Sequence, residues 1–155
     1  MRNKLVFLCG VVGLFSVVAC SSTEQTPTAI ATPTQQYPAT AVEVSYNEFT
    51  ATPHMTKQIE VTNPGTLQVI LFSNPTTGYS WSENATIGDV SILRQESHGY
   101  VPPQTSGNVV GAGGKEAWVF KTLAPGATNI SMDYSQPWAG GTKSTWTFAL
   151  AVTVR

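Results

Sequence analysis

From about residue 42 onward, apolar and polar side chains take turns over short stretches. That period of two belongs to strands rather than helices. Gln58, Glu60 and Thr62 alternate with Ile59 and Val61, and Asn63-Pro64-Gly65 then breaks the pattern as a turn. Leu67 to Phe72, apolar at every position but Gln68, reads as a strand covered on both faces. Tyr79, Trp81 and Glu83 suit a short strand, and Val90, Ile92 and Arg94 suggest another. Lys115 to Thr122 places Trp118 and Phe120 on one face, and Ala124-Pro125-Gly126 turns the chain. Ile130, Met132 and Tyr134 alternate with Asn129, Ser131 and Asp133. Trp146, Phe148, Leu150, Val152 and Val154 form the last and longest stripe. No segment carries a convincing helical stripe. Seven to eight short strands over about 110 residues predict an all-β, immunoglobulin-like antiparallel β-sandwich, with a small barrel as the competing closure. Trp81 is expected to face its core.

Upstream the pattern changes twice. Arg2 and Lys4 precede an apolar stretch from Leu5 to Val18, which is shorter than the ~20 residues a membrane-spanning helix needs. It ends in Val17-Val18-Ala19-Cys20, which resembles a lipobox. Residues 1–19 are therefore expected to be a lipoprotein signal peptide, removed so that Cys20 carries acyl chains such as palmitate. Each buried methylene would contribute ~0.8 kcal/mol to a membrane anchor. Of residues 21–41, 18 are Ser, Thr, Gln, Pro or Ala, too little apolar surface to offset ordering entropy. Residues 20–45 thus read as the lipidated Cys followed by a disordered tether, whose 21–41 stretch has a reach on the order of 25 Å. Residues 46–155 read as the folded domain, with its start placed between Val42 and Phe49. This organisation predicts a domain lipid-anchored to a membrane and facing the periplasmic or extracellular side.

Composition narrows the function. A chain of 155 residues allows one domain, and 41% apolar residues can fill its core. Charged residues make up only 11%, the net charge is -1, and the 8 basic residues are scattered. Nucleic acid is not an expected partner, because phosphates need clustered Lys and Arg. Both cysteines, Cys9 and Cys20, lie in the leader and its cleavage site. The domain therefore has no disulfide, no thiolate metal site and no Cys nucleophile. His54 beside Pro53 and His98 beside Gly99 read as solvent-facing loop residues. Two His without Cys make a zinc site an unpromising reading, and no cofactor is implied. A Ser-His-Asp site is assembled in space rather than in sequence. However, no Gly-x-Ser-x-Gly elbow is present, so an enzyme is not expected. Nothing calls for more than a monomer.

Three segments are richer than turns require. In Asn74-Pro75-Thr76-Thr77-Gly78-Tyr79-Ser80-Trp81, Pro75 pushes Asn74 towards extended geometry and Gly78 permits positive φ. Two Thr sit at the tip, and Tyr79 shares the parity of Trp81. In Gly111-Ala112-Gly113-Gly114 the glycines suggest a phosphate cradle, but a strand follows rather than a helix. A tip that another protein's surface approaches closely fits better, with Gly99 to Asn108 as loop before it. In Tyr134-Ser135-Gln136-Pro137-Trp138-Ala139-Gly140-Gly141, Trp138 falls off every stripe and is expected to be exposed, as a binding hot spot would be.

These segments, in this order, resemble the chagasin family of cysteine-protease inhibitors. The family pattern is Asn-Pro-Thr-Thr-Gly-aromatic-x-Trp, then Gly-x-Gly-Gly before a Trp-containing strand, then Arg-Pro-Trp. The likeness runs from about Phe49 to Val154, and it departs from the pattern at Gln136, where the family usually has Arg. That change removes a rim charge of the kind that tunes encounter and selectivity. The resemblance implies a β-sandwich whose three loops plug the active-site cleft of papain-like cysteine proteases reversibly and without covalent chemistry. Asn74, Pro75, Thr76, Thr77, Gly78 and Tyr79 would enter the cleft, with Thr76 and Thr77 nearest the catalytic thiolate. Gly111, Ala112, Gly113 and Gly114 would contact one wall, and Gln136, Pro137 and Trp138 the other. The rival reading is an envelope-anchored adhesion or carbohydrate-binding sandwich using Tyr100, Tyr134 and Trp138 to stack on sugars.

Overall fold

A computed structural model describes residues 38–103 and 111–155. The expected leader, Cys20, most of the tether and residues 104–108 of the expected loop lie outside the described residues. The described residues form nine strands and one short helix: β1 (Ala39–Val44), α1 (Tyr46–Ala51), β2 (His54–Val61), β3 (Thr66–Ser73), β4 (Ser80–Trp81), β5 (Thr86–Ile87), β6 (Leu93–Val101), β7 (Gly114–Thr122), β8 (Gly126–Ser135) and β9 (Trp146–Val154). One sheet runs β1-β3-β7-β6. The other runs β2-β9-β8-β4, with β5 also pairing with β8. The two sheets enclose one core, the immunoglobulin-like sandwich that the alternation predicts.

The core is built from inward parities. Leu67, Val69 and Leu71 of β3 and Trp118 and Phe120 of β7 face Ile130 and Met132 of β8 and Phe148, Leu150 and Val152 of β9, all buried. Trp81 is buried as expected, and its indole Nε1 donates to the Phe72 carbonyl at 2.8 Å. Strand β3 is not covered on both faces, because buried and half-buried residues alternate along it. Ile70 and Phe72 are outward residues that happen to be apolar. The strand expected around Val90 is a turn with Val90 exposed, and pairing begins at Leu93.

The edges of the sheets and the direction of two strand pairs differ from expectation. Ala39–Val44, assigned to the tether, pairs with β3 in parallel and buries Val44. Strand β2 pairs with β9 in parallel as well. The sheets are thus mixed rather than purely antiparallel. Parallel neighbours cannot be joined by a tight turn, and here the chain crosses between sheets instead. The first crossing, from β1 to β2, uses α1. Ser45 caps it: its hydroxyl accepts from Glu48 N at 3.4 Å, while Glu48 Oε2 accepts from Ser45 N at 2.8 Å. The backbone N–H of Ser45, helped by Lys57, holds the Glu48 carboxyl at about 2. Because that value is depressed, the capping contribution is complete above the ordinary carboxylate range and fades as pH falls towards 2. Phe49 of α1 is fully buried and stacks on Trp146, centroids 5.1 Å apart.

The histidines also differ from expectation, since both lie on strands. His54 opens β2, with Nδ1 3.1 Å from Thr147 Oγ1. His98 lies in β6, stacked on Trp118, with Nε2 2.7 Å from Glu116 Oε2. Gly99 to Val101 belong to the same strand rather than to a loop.

Strand β1 makes a direct test possible. A chain beginning at Pro38 should melt like a longer one, whereas a chain beginning at Ser45 loses Val44 and uncovers the edge of β3. The second truncation should cost at least the ~1.5–3 kcal/mol of one buried aliphatic side chain, read by urea unfolding. Equal midpoints would show that β1 adds nothing.

Candidate functional site

Register sets the position of the three loops before any side chain does. Ser73, which ends β3, pairs with Gly114, which opens β7. Ser80, which opens β4, pairs with Ser135, which ends β8. The Asn74–Tyr79 connection therefore leaves one sheet beside the Gly111–Gly113 loop and enters the other beside the Gln136–Gly141 loop. All three loops emerge at one end of the sandwich.

Within the first loop, Pro75–Thr77 is a single 3₁₀ turn. Asn74 caps it: Oδ1 accepts from Thr76 Oγ1 at 2.7 Å and from Thr76 N at 3.3 Å. The Asn74 carbonyl accepts from Thr77 N at 3.1 Å and from Thr77 Oγ1 at 2.6 Å. Gly78 closes the turn at φ 81°, the left-handed region predicted for it, and donates its N–H to the Pro75 carbonyl at 3.0 Å. Pro75, Thr76 and Thr77 are exposed at the tip. Tyr79 is half-buried and stacks on Tyr134 at 5.5 Å.

Side chains then join the loops. Asn74 Nδ2 donates to the Gly111 carbonyl at 3.0 Å, and Asn74 N donates to the Tyr134 hydroxyl at 3.0 Å. Gly111 is exposed with φ 84°. Gly113 and Gly114 serve packing: a Cβ on Gly113 would lie 2.3 Å from the Phe72 ring, and one on Gly114 2.4 Å from the Val101 carbonyl. Gly114 is buried as the first residue of β7, which corrects its expected place on the loop surface. Gly111 and Ala112 form the outward part.

In the third loop, Tyr134 and Ser135 belong to β8, so the loop starts at Gln136. Gln136 N donates to Thr142 O at 2.8 Å, and Gln136 Oε1 accepts from Thr142 N at 2.9 Å. Lys143 Nζ donates to the Trp138 carbonyl at 3.0 Å and also reaches the Gln136 carbonyl. Trp138 is 50% exposed. Its inner edge lies on Gly78 and Gly141, where added Cβ atoms would approach within 2.7 Å of Cη2 and 2.9 Å of Nε1. Tyr134, expected to be open for sugar stacking, is only 4% exposed. Sequence reasoning did not identify the cleft of about 480 Å³ beside the Asn74 turn, lined by Tyr46, Phe72, Tyr79, Tyr134 and Trp146 among others. No periodic signal joins those positions.

Ser73, Glu116 and His98 form a hydrogen-bonded row, but in an order unsuited to catalysis. The Ser73 hydroxyl donates to Glu116 Oε1 at 2.6 Å, so the carboxylate and not the imidazole is its partner. Ser73 is also fully buried. A nucleophile needs the base beside it and access to substrate.

Residues 60–152 match the model of the chagasin family of peptidase inhibitors, family I42. Among curated proteins, the chain is 33% identical over 88 residues to amoebiasin-1 of Entamoeba histolytica, covering 57% of this chain and 80% of that one. It is 34% identical over 77 residues to chagasin of Trypanosoma cruzi, covering 48% and 67%. Among solved structures, the cysteine protease inhibitor EhICP2 of Entamoeba histolytica aligns with a TM-score of 0.58 at 20% identity, covering 76% of this chain and 97% of that one. PbICP-C, solved in complex with falcipain-2, aligns with a TM-score of 0.54 at 16% identity, covering 76% and 99%. At those identities the two structures support the fold.

The contact between Gly78 and Trp138 generates a prediction. Gly78→Ala should cost ~1–2 kcal/mol through left-handed backbone strain and push the indole away. The Trp138 indole N–H resonance should shift while those of Trp81 and Trp118 stay in place. An unmoved Trp138 resonance would mean that the ring does not rest on Gly78 in solution.

Proposed function

Because the chain belongs to the chagasin family of peptidase inhibitors, we propose that it inhibits papain-like cysteine proteases reversibly and without covalent chemistry, by inserting its three clustered loops into the active-site cleft. The observation that carries this reading is the convergence of the Asn74 turn, Gly111 and Trp138 at one end of a stiff sandwich. Family membership places the chain among inhibitors rather than enzymes.

The local geometry suits a plug. Thr76 and Thr77 are exposed on a closed 3₁₀ turn whose carbonyls at Asn74 and Pro75 already accept internal hydrogen bonds. Such a turn does not offer the extended backbone that strand-type peptide recognition uses. It can fill the space beside a thiolate without presenting a peptide bond for attack. Trp138, half out of the surface between Pro137 and small residues, has the amphipathic ring favoured at hot spots. Because these groups are held in place beforehand, docking orders few new side chains.

We infer further that Cys20 is lipidated and that the tether holds the domain on the outer side of a membrane, as the lipobox-like Val17-Val18-Ala19-Cys20 supports. A Cys20→Ser variant should then move from the membrane fraction to the soluble fraction on cell fractionation. Retention in the membrane would argue against the lipid anchor.

Titrating papain with the purified protein tests the main reading. Activity should fall stoichiometrically and return on dilution, with the inhibitor uncleaved. Trp138→Ala should weaken inhibition by about 2 kcal/mol or more, the hot-spot scale. Thr76→Arg should weaken it while the CD spectrum stays that of the folded domain. Sugar binding with full papain activity would favour the adhesion reading instead.

A further inference from the structure

Strand β7 carries one residue that its position does not explain. Glu116 shares the inward parity of Trp118 and Phe120, and it is 4% exposed. A carboxylate there is costly unless both oxygens are engaged. Both are. Oε1 accepts from Ser73 Oγ at 2.6 Å and from Trp81 N at 3.3 Å. Oε2 lies 2.7 Å from His98 Nε2, and the imidazole stacks on Trp118 with centroids 4.7 Å apart.

The identity of the first two partners gives the arrangement its meaning. Ser73 is the last residue of β3, and Trp81 ends β4. Between them lies the whole Asn74–Ser80 connection. A single carboxylate oxygen therefore holds both stems of that connection, one in each sheet. The second stem needs such a hold, because β4 is two residues long and pairs with β8 at only two positions. Other contacts assist from the sides: Trp81 Nε1 donates to Phe72 O, and Asn74 N to the Tyr134 hydroxyl. Glu116 Oε1 bonds to both stems at once, at Ser73 and at Trp81.

We propose that Glu116, braced by His98, is a positioning residue of the inhibitor: it clamps the stems of the Asn74–Gly78 turn so that Thr76 and Thr77 are presented in one geometry. It touches no protease itself. The proposal rests on the turn being the inserted wedge, and it deepens that reading by naming what sets the wedge's shape.

Three variants of the full-length protein test it. Glu116→Leu removes the acceptor but fills the site with apolar volume, so the core can stay folded. Glu116→Gln keeps an acceptor oxygen for Ser73 and Trp81. Ser73→Ala removes one stem contact only. Two readouts are needed: hydrogen exchange of the Thr77 and Gly78 amides, and the rate of dissociation from papain. With Glu116→Leu, both should rise at least tenfold, while exchange of the central β8 and β9 amides changes less than twofold. Ser73→Ala should shift both in the same direction by less. Glu116→Gln should restore values near those of the unaltered protein. Unchanged turn exchange in Glu116→Leu would overturn the proposal. So would an equal acceleration of turn and central-sheet amides, which would mark a general stabiliser. Failure of the unaltered protein to inhibit papain would sink the inhibitor reading alone, because turn exchange still reports on the clamp.

Discussion

The pairings of Ser73 with Gly114 and of Ser80 with Ser135 set where the three loops at one end of the sandwich lie. A strand's side chains alternate with a strict period of two, so a slip of one residue would turn its whole inward set to solvent. Burial of Leu67, Val69 and Leu71 on β3, and of Trp118 and Phe120 on β7, therefore locks the first pairing. Ile130, Met132 and Tyr134 lock β8, against which β4 is aligned. Core packing some residues away thus decides which loop tips are neighbours, and the hydrogen bond from Asn74 to Gly111 and the seat of Trp138 on Gly78 follow from it.

Beneath those tips the interior changes character. The middle of the core is hydrocarbon and aromatic, where shape complementarity alone holds the sheets together. Towards the loops it becomes a mixed layer: the Glu116 carboxylate, the Ser73 hydroxyl, the Tyr134 phenol and the Trp81 indole N–H each bond to a backbone or side-chain group close to the Asn74 turn. Apolar contacts are non-directional. Hydrogen bonds are directional and weaken steeply off axis. A loop that must hold a particular outline is better anchored by the second kind, even where a hydrophobic replacement would leave the fold as stable.

Alternation revealed the long inner stripes on β7, β8 and β9, because each buries one face and presents polar residues on the other. It misled on β3, where Ile70 and Phe72 are apolar on the outer face. Phe72 is needed there because it covers Gly113 and meets Tyr46 and Trp146. Strand direction was illegible, since alternation is the same for parallel and antiparallel neighbours. Strand β1 escaped notice because Ala39, Thr40 and Ala41 share the composition of the tether, leaving Val42 and Val44 as the only inward signal. The helix α1, at six residues, is too short for a 3.6-residue stripe, although Ser45 followed by Glu48 three residues later is a capping-box pattern. The place of His98 was hidden by the shift in β6 register between Gln95 and Ser97, which no local pattern announces. The loop motifs themselves were legible, but Gly113 and Gly114 show that a glycine motif can mark tight packing as much as an outer surface.

The departure at Gln136 can be weighed in the same terms. An Arg at this position would bring a cation to the rim. Here the Gln136 amide and backbone instead fold the loop on itself through Thr142, and a cation enters the same loop at Lys143, bound to the Trp138 carbonyl. The positive charge is therefore engaged in shaping the loop rather than free at its edge. Charges free at a rim chiefly set how fast partners meet, whereas the fit of a buried ring sets how slowly they part. With Trp138 lying against Gly78 and Gly141 and its carbonyl bound by Lys143, the outline of this loop is set by contacts within the domain rather than by a side-chain charge at position 136.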